Sequence, residues 1–191
     1  DLRMSRGLGD VYKRQGDTPM KIHNVLSGNQ LIIRDYKKTD LNFLLSMWLD
    51  EENGKYMSDP TREYVDAAYQ KALDTLEENS NGYYLVLETA VSKILVGSCC
   101  IFPDKQQKSC DIGYCIHKDY WQKGYGSEML SLLLDWIRKQ GWETVTAEVA
   151  VDNIASNALL KKFHFKVIKN TSFKKYNMDV SYKSDLYMKK L

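Results

Sequence analysis

A chain of 191 residues, 43% hydrophobic and 27% charged, is long enough for one domain with a real core and too short for two comfortable ones. Lysine plus arginine exceeds aspartate plus glutamate only as 27 to 25, so charge offers no argument for nucleic acid or an anionic membrane. No apolar run approaches the roughly 20 residues that a membrane-spanning helix requires, and the expected partners include neither nucleic acid nor membrane.

Residues 1–19 carry no apolar period, whereas Met20-Lys21 reads like a natural start. The expectation is a non-native or disordered leader over 1–19 and one domain over 20–191. Leu31-Ile32-Ile33-Arg34 forms a short strand. Thr39 is a plausible N-cap for a helix carrying Leu41, Leu44, Leu45, Trp48 and Leu49, which Asn53-Gly54 breaks. Pro60-Thr61 opens a second helix, with Tyr64, Ala68, Ala72 and Leu76 along one side.

Three strands follow in series, at 83–89, 94–102 and 110–116, joined by so few residues that they must be antiparallel neighbours. Met129, Leu130, Leu133, Leu134 and Ile137 mark the buried face of a helix that Gly141 stops. Strand 145–151, helix 153–163, strand 165–168 and a last strand 184–188 complete one α+β domain. Cys99, Cys100, Cys110 and Cys115 form no Cys-x-x-Cys pair, and the three histidines have no ligand spacing, so no metal site is expected. Four reduced thiols point to a reducing compartment, the cytoplasm.

The most informative segment is Gln122-Lys123-Gly124-Tyr125-Gly126-Ser127, where a strand hands over to a helix. Alternate glycines let the backbone approach a ligand, and the first helical turn presents unpaired N–H donors at the positive end of a dipole. That combination suits a phosphate or pyrophosphate. It is neither a P-loop, which needs Gly-Lys-Ser/Thr, nor a dinucleotide fingerprint.

A second block, Asn153-x-x-Ser156-Asn157-x-Leu159-Leu160-x-Lys162-x-x-Phe165, lies downstream, and Asp111-Ile112-Gly113-Tyr114 precedes the loop. In this order the three segments resemble the GNAT N-acetyltransferases, and in style the RimJ/RimL-like branch, whose known members acetylate protein N-termini. The resemblance runs from about Leu31 to Ile168. It implies a mixed, mostly antiparallel central sheet flanked by helices, with acetyl-CoA as co-substrate. It further implies that backbone N–H groups near Ile116 and His117 hold the thioester and pantetheine. Gln122, Lys123, Gly124, Tyr125, Gly126 and Ser127 would hold the pyrophosphate, with Asn153 and Ser156 along the pantetheine arm. His164 replaces the family's glycine. If that position is a left-handed cap, histidine costs about 1 kcal/mol against glycine. Several members use a tyrosine as general acid at the position of Leu160, which cannot donate a proton.

Acetyl transfer needs a neutral amine and a stabilised thioester oxygen, and direct attack in a ternary complex suffices. The candidate bases are Asp111, which matches a family glutamate, and Glu148 on the next strand; Ser156 is the candidate proton donor to the thiolate, although a helix-start hydroxyl often caps the backbone instead. His117 reads first as a surface or spacing residue, and Cys115 lacks a neighbouring base in the sequence. Trp48, Tyr56, Tyr83 and Tyr176 are candidate substrate walls, each with an ordinary core role as the stronger expectation. The amine is either a protein N-terminus or a small molecule, and the enzyme a monomer or homodimer. The rival readings are a non-catalytic coenzyme A sensor or interaction module, and a nucleotide-binding protein.

Overall fold

A computed structural model of the protein describes residues 18–61 and 66–191; residues 1–17 of the expected leader, and Tyr64 in the second helix, lie outside the described residues. Among the described residues eight strands form one sheet: β1 (Leu26–Ser27), β2 (Leu31–Asp35), β3 (Tyr83–Thr89), β4 (Leu95–Asp104), β5 (Ser109–Ile116), β6 (Thr144–Ala150), β7 (Lys166–Lys174) and β8 (Ser181–Lys190). Their order is β1-β2-β3-β4-β5-β6-β8-β7. Every neighbouring pair is antiparallel except β5 with β6. The domain is therefore α+β, with the mixed sheet expected.

Helices cover both faces. On one side lies α3 (Tyr125–Lys139), whose Met129, Leu130, Leu133, Leu134 and Ile137 are buried at helical spacing. They join Leu85, Ile101, Ile112, Val145 and Ala147 in one core cluster. α4 (Ile154–Lys162) adds Leu160, fully buried in the same cluster. On the other face, α1 (Leu41–Trp48) and α2 (Ala67–Asp74) pack Leu44, Met47, Trp48, Tyr69 and Leu73 against Val86 and Cys115. All four cysteines are buried thiols. No helix among the described residues is long and apolar enough to cross a membrane.

Local departures from the sequence reading have identifiable causes. Thr39 is not a cap; it lies in a 3-10 turn, Lys38–Asp40, that precedes α1. Asp40 anchors that turn, accepting from Lys37 N at 2.9 Å and from the two terminal guanidinium nitrogens of Arg34 at 2.9 and 3.0 Å. α2 begins after Asp66, which caps Tyr69 N at 2.8 Å, rather than at Pro60-Thr61. His164 does take the left-handed conformation, at φ +63°. Phe165 N then closes onto Leu160 O at 3.0 Å and the Phe165 side chain is buried.

The β7–β8 hairpin folds back onto the turns after α1 through a buried cation. Lys175 is 3% exposed. Its ammonium donates to the carbonyls of Gly54, Met57 and Asp59 at 2.7, 2.8 and 3.1 Å. Burial pushes this ammonium down to about 8. Burial likewise pushes the Asp59 carboxyl, which accepts from the Tyr69 hydroxyl at 2.6 Å, up to about 6. A lysine whose pKa falls on folding is a liability while charged, so its penalty lifts as pH climbs from about 8 to its ordinary 10.5. Lys175→Met leaves three buried carbonyls without their donor and is expected to lose about 3 kcal/mol at neutral pH. Because the variant lacks the alkaline relief, its deficit in thermal melts widens between pH 8 and 10.5. A pH-independent deficit would refute this account.

Candidate active site

The site is an opening in the sheet. β5 pairs with β6 only at Ser109↔Thr144, Cys110↔Val145 and Asp111↔Thr146. Beyond that point β5 stays with β4 as far as Gly97↔Ile116, and β6 stays with β8 as far as Ala150↔Ser184, so the two strands part. His117 N donates to Val96 O at 2.9 Å. Antiparallel alternation then sends the N–H groups of Cys115 and Gly113 towards β4, and those of Ile116 and Tyr114 into the gap. A cleft of about 690 Å³ fills the opening.

One end of the cleft is built for an anion. Gly124 caps α3 in the left-handed conformation at φ +81° and brings no side chain to the helix start. The N–H groups of Tyr125, Gly126 and Ser127, in the first turn, have no intrahelical acceptor. Gln122, itself at φ +61°, completes the bend and lines the cleft with them. Gly126 packs against α4, where an added Cβ would meet Leu159 Cδ2 at 3.3 Å. Lys162 Nζ donates to Ser127 Oγ at 3.0 Å, which sets an ammonium beside these donors. The first-turn acid, Glu128, is drawn aside by Gln30 N and Leu31 N at 2.8 and 3.3 Å. These residues fit a diphosphate.

Further along, the walls change character. Among the described residues lining the cleft, Lys162 supplies the ammonium, while Glu52, Glu148 and Asp152 supply carboxylates. Glu148 is 8% exposed and accepts from the Ser184 hydroxyl at 2.7 Å. Asn153 caps α4 by accepting from Ser156 N at 3.2 Å. The Ser156 hydroxyl is therefore not the backbone cap; it meets the Tyr114 hydroxyl at 2.7 Å across the gap. At the β5 end, Asn53 Nδ2 donates to Ile116 O and to Cys115 Sγ, both at 3.1 Å, and Asn53 Oδ1 accepts from Lys118 N at 2.6 Å. Trp121 Nε1 reaches the same Ile116 carbonyl at 2.8 Å.

Not every expected residue arrives here. Ile116, Gln122, Gly124, Tyr125, Gly126, Ser127, Glu148, Asn153 and Ser156 line the cleft. The His117 N–H is already spent on Val96, and its ring stacks on Phe43 at 5.7 Å, so it is not a thioester donor. The Lys123 ammonium sits over the Tyr120 ring at 5.3 Å rather than on the cleft wall. Asp111 lies back where β5 and β6 are still paired and accepts from Thr146 Oγ1 at 2.8 Å, which removes it from the candidate bases. Burial pushes the Cys115 thiol up to about 12, against any nucleophilic role. Of the four candidate wall aromatics only Tyr56 lines the cleft. Trp48 bonds Ser98 at 3.3 Å, Tyr83 packs on Trp136 and Tyr176 on Tyr69. Sequence reasoning missed Tyr114, Lys162 and Asn53 as site residues, although the first two stand inside the very motifs it used.

Comparison with known proteins agrees with this geometry. Residues 30–166 match the model of the acetyltransferase (GNAT) domain family. An uncharacterized N-acetyltransferase of Bacillus subtilis, YoaA, is 25% identical over 146 residues, covering 74% of this chain and 82% of that protein. Among solved structures, the ribosomal L7/L12 α-N-protein acetyltransferase RimL in complex with coenzyme A superposes with a TM-score of 0.73 at 17% identity, over 88% of this chain and 98% of that one. Spermidine N-acetyltransferase from Vibrio cholerae, in complex with coenzyme A and spermine, gives 0.72 at 17%, over 85% and 96%. With the matched family spanning the loop, the parted strands and the Asn153–Phe165 block, this chain belongs to the GNAT acetyltransferases and is an N-acetyltransferase that draws on acetyl-CoA.

Proposed function

We propose that the protein transfers the acetyl group of acetyl-CoA to a primary amine by direct attack in a ternary complex. The observation that carries this reading is the polarity of the cleft, which is lined both by the helix-start donors with Lys162 and by the buried Glu148 carboxylate. The diphosphate would rest on Gly124 to Ser127, and the pantetheine would run along the N–H groups of Tyr114 and Ile116. Glu148, oriented by Ser184, takes the amine proton directly or through one water. Ser156 faces the departing sulfur.

The amine is either a protein N-terminus, as for the ribosomal L7/L12 α-N-protein acetyltransferase RimL, or a small amine such as spermidine. An α-amine titrates near 7.7–8.0 and a lysine-type amine near 10.4, so the first needs much less help from a base. One observation favours the rival reading of a coenzyme A sensor: Leu160 is fully buried, leaving no proton donor at that helix position. Mixing the protein with acetyl-CoA and a parallel panel of N-terminal peptides, spermidine and aminoglycosides, and following thiol release, decides between them. Turnover with one class of amine is expected; tight coenzyme A binding with no thiol release from any of them would leave the sensor.

A further inference from the structure

Tyr114 carries a side-chain hydroxyl in the cleft that the acetyl-transfer reading leaves without work. It stands on β5 with its ring directed to the α3 and α4 side, as are Ile112 and Cys110, two and four residues earlier. There its hydroxyl meets Ser156 Oγ at 2.7 Å, and both residues line the cleft. A phenol is the stronger acid of the two hydroxyls, so the tyrosine donates and the serine accepts. The serine's own proton is then left for a third acceptor. Desolvation pushes the Tyr114 phenol up to about 12, so it stays protonated and a donor throughout the neutral range.

We propose that Tyr114 is a positioning residue for the leaving group: it pins Ser156 so that the serine O–H is presented to the sulfur of coenzyme A. The inference rests on the acetyl-transfer reading and adds to it a hydroxyl chain that replaces the absent donor at Leu160. In the transfer, the amine nitrogen bonds to the acetyl carbonyl carbon, and the carbon–sulfur bond breaks with its electron pair remaining on sulfur. The proton lost by nitrogen passes to Glu148. The sulfur accepts the Ser156 hydrogen bond as its charge grows and gains a proton from solvent on release, so neither Ser156 nor Tyr114 ends the cycle ionised. Two hydroxyls in series polarise one another, and the serine donates more strongly with the tyrosine behind it.

The test is a double-mutant cycle read by single-turnover acetyl transfer to an amine that the parent enzyme uses, with coenzyme A affinity measured alongside. Tyr114→Phe removes one oxygen and keeps the ring that packs against the core, and thermal melting verifies its fold. It is expected to slow transfer about tenfold, below the usual share of a direct general acid, with coenzyme A affinity and the amine KM changed less than about twofold. Ser156→Ala slows transfer at least as much, and adding Tyr114→Phe to it costs nothing further. An undiminished rate in Tyr114→Phe, or a loss that persists in the Ser156→Ala background, overturns the proposal while parental turnover upholds acetyl transfer. A parent protein that turns over no amine overturns both.

Discussion

Gly124→Glu is expected to abolish coenzyme A binding in a protein that still folds. Within the protein there is room for the side chain: a Cβ at this position meets only Gln30 Nε2, at 3.9 Å. The backbone cost is that of a non-glycine residue at φ +81°, about 1–2 kcal/mol. A carboxylate at a helix start is otherwise welcome, because it satisfies the same donors and the same dipole. That is why it defeats the ligand: the side chain occupies the anion site itself and sets a like charge against the diphosphate. At about 4 Å near a surface such repulsion amounts to about 4 kcal/mol, close to a thousandfold in affinity. Gly124→Ala carries the backbone strain without the charge and is expected to retain most of the affinity. Calorimetric titration of both variants separates strain from charge. Unchanged affinity in a folded Gly124→Glu protein would remove the helix start from the cofactor site.

The parts of the fold that were legible in the sequence are those whose pattern is local. The α3 face needs only apolar residues three and four apart, and Met129 to Ile137 supply them. The loop at Gly124 was legible because a left-handed cap before a helix has a narrow choice of residues. β7 was read as ending at Ile168, yet it runs from Lys166 to Lys174. As an edge strand it is largely exposed, and a bulge between Val167 and Lys169 breaks its register with β8, so no apolar alternation announces it. The parting of β5 from β6 is written in neither strand. It follows from each keeping its outer partner, a property of the assembled sheet. The same is true of the residues that were missed. Tyr114 and Ser156 are 42 positions apart, and Asn53 lies 62 before Cys115; only the closed fold makes them neighbours. Asp111 and Glu148 illustrate the converse. Both sit on the face that α1 and α2 cover, and both are acids on adjacent strands. What separates them is a pairing register: Asp111 lies before the fork, bonded to Thr146, and Glu148 beyond it, on the cleft wall.

Glu148→Gln is expected to slow acetyl transfer by about 10²–10⁴-fold towards a lysine-type or polyamine nitrogen at pH 7, the range for loss of a positioned base. The substitution keeps the shape, and its amide oxygen still accepts from Ser184, so the loss reports chemistry rather than folding. The size of the effect depends on the amine. Near pH 7 about a tenth of an α-amine with pKa about 8 is already neutral, but well under about a thousandth of an amine with pKa about 10.4. An N-terminal substrate therefore suffers less from the loss of the base than a polyamine does. Raising the pH also deprotonates the amine in solution, so the deficit of Glu148→Gln shrinks as pH climbs through the amine's own pKa. For an α-amine the recovery is complete by about pH 9; for a lysine-type amine it is only beginning there. Rates of the variant and its parent, measured from pH 6.5 to about 9.5 on both substrate classes, thus identify the base and the kind of nitrogen it serves. A deficit that stays constant across the whole range on every amine would mean that Glu148 only shapes the cleft through Ser184, and that the amine loses its proton before it enters.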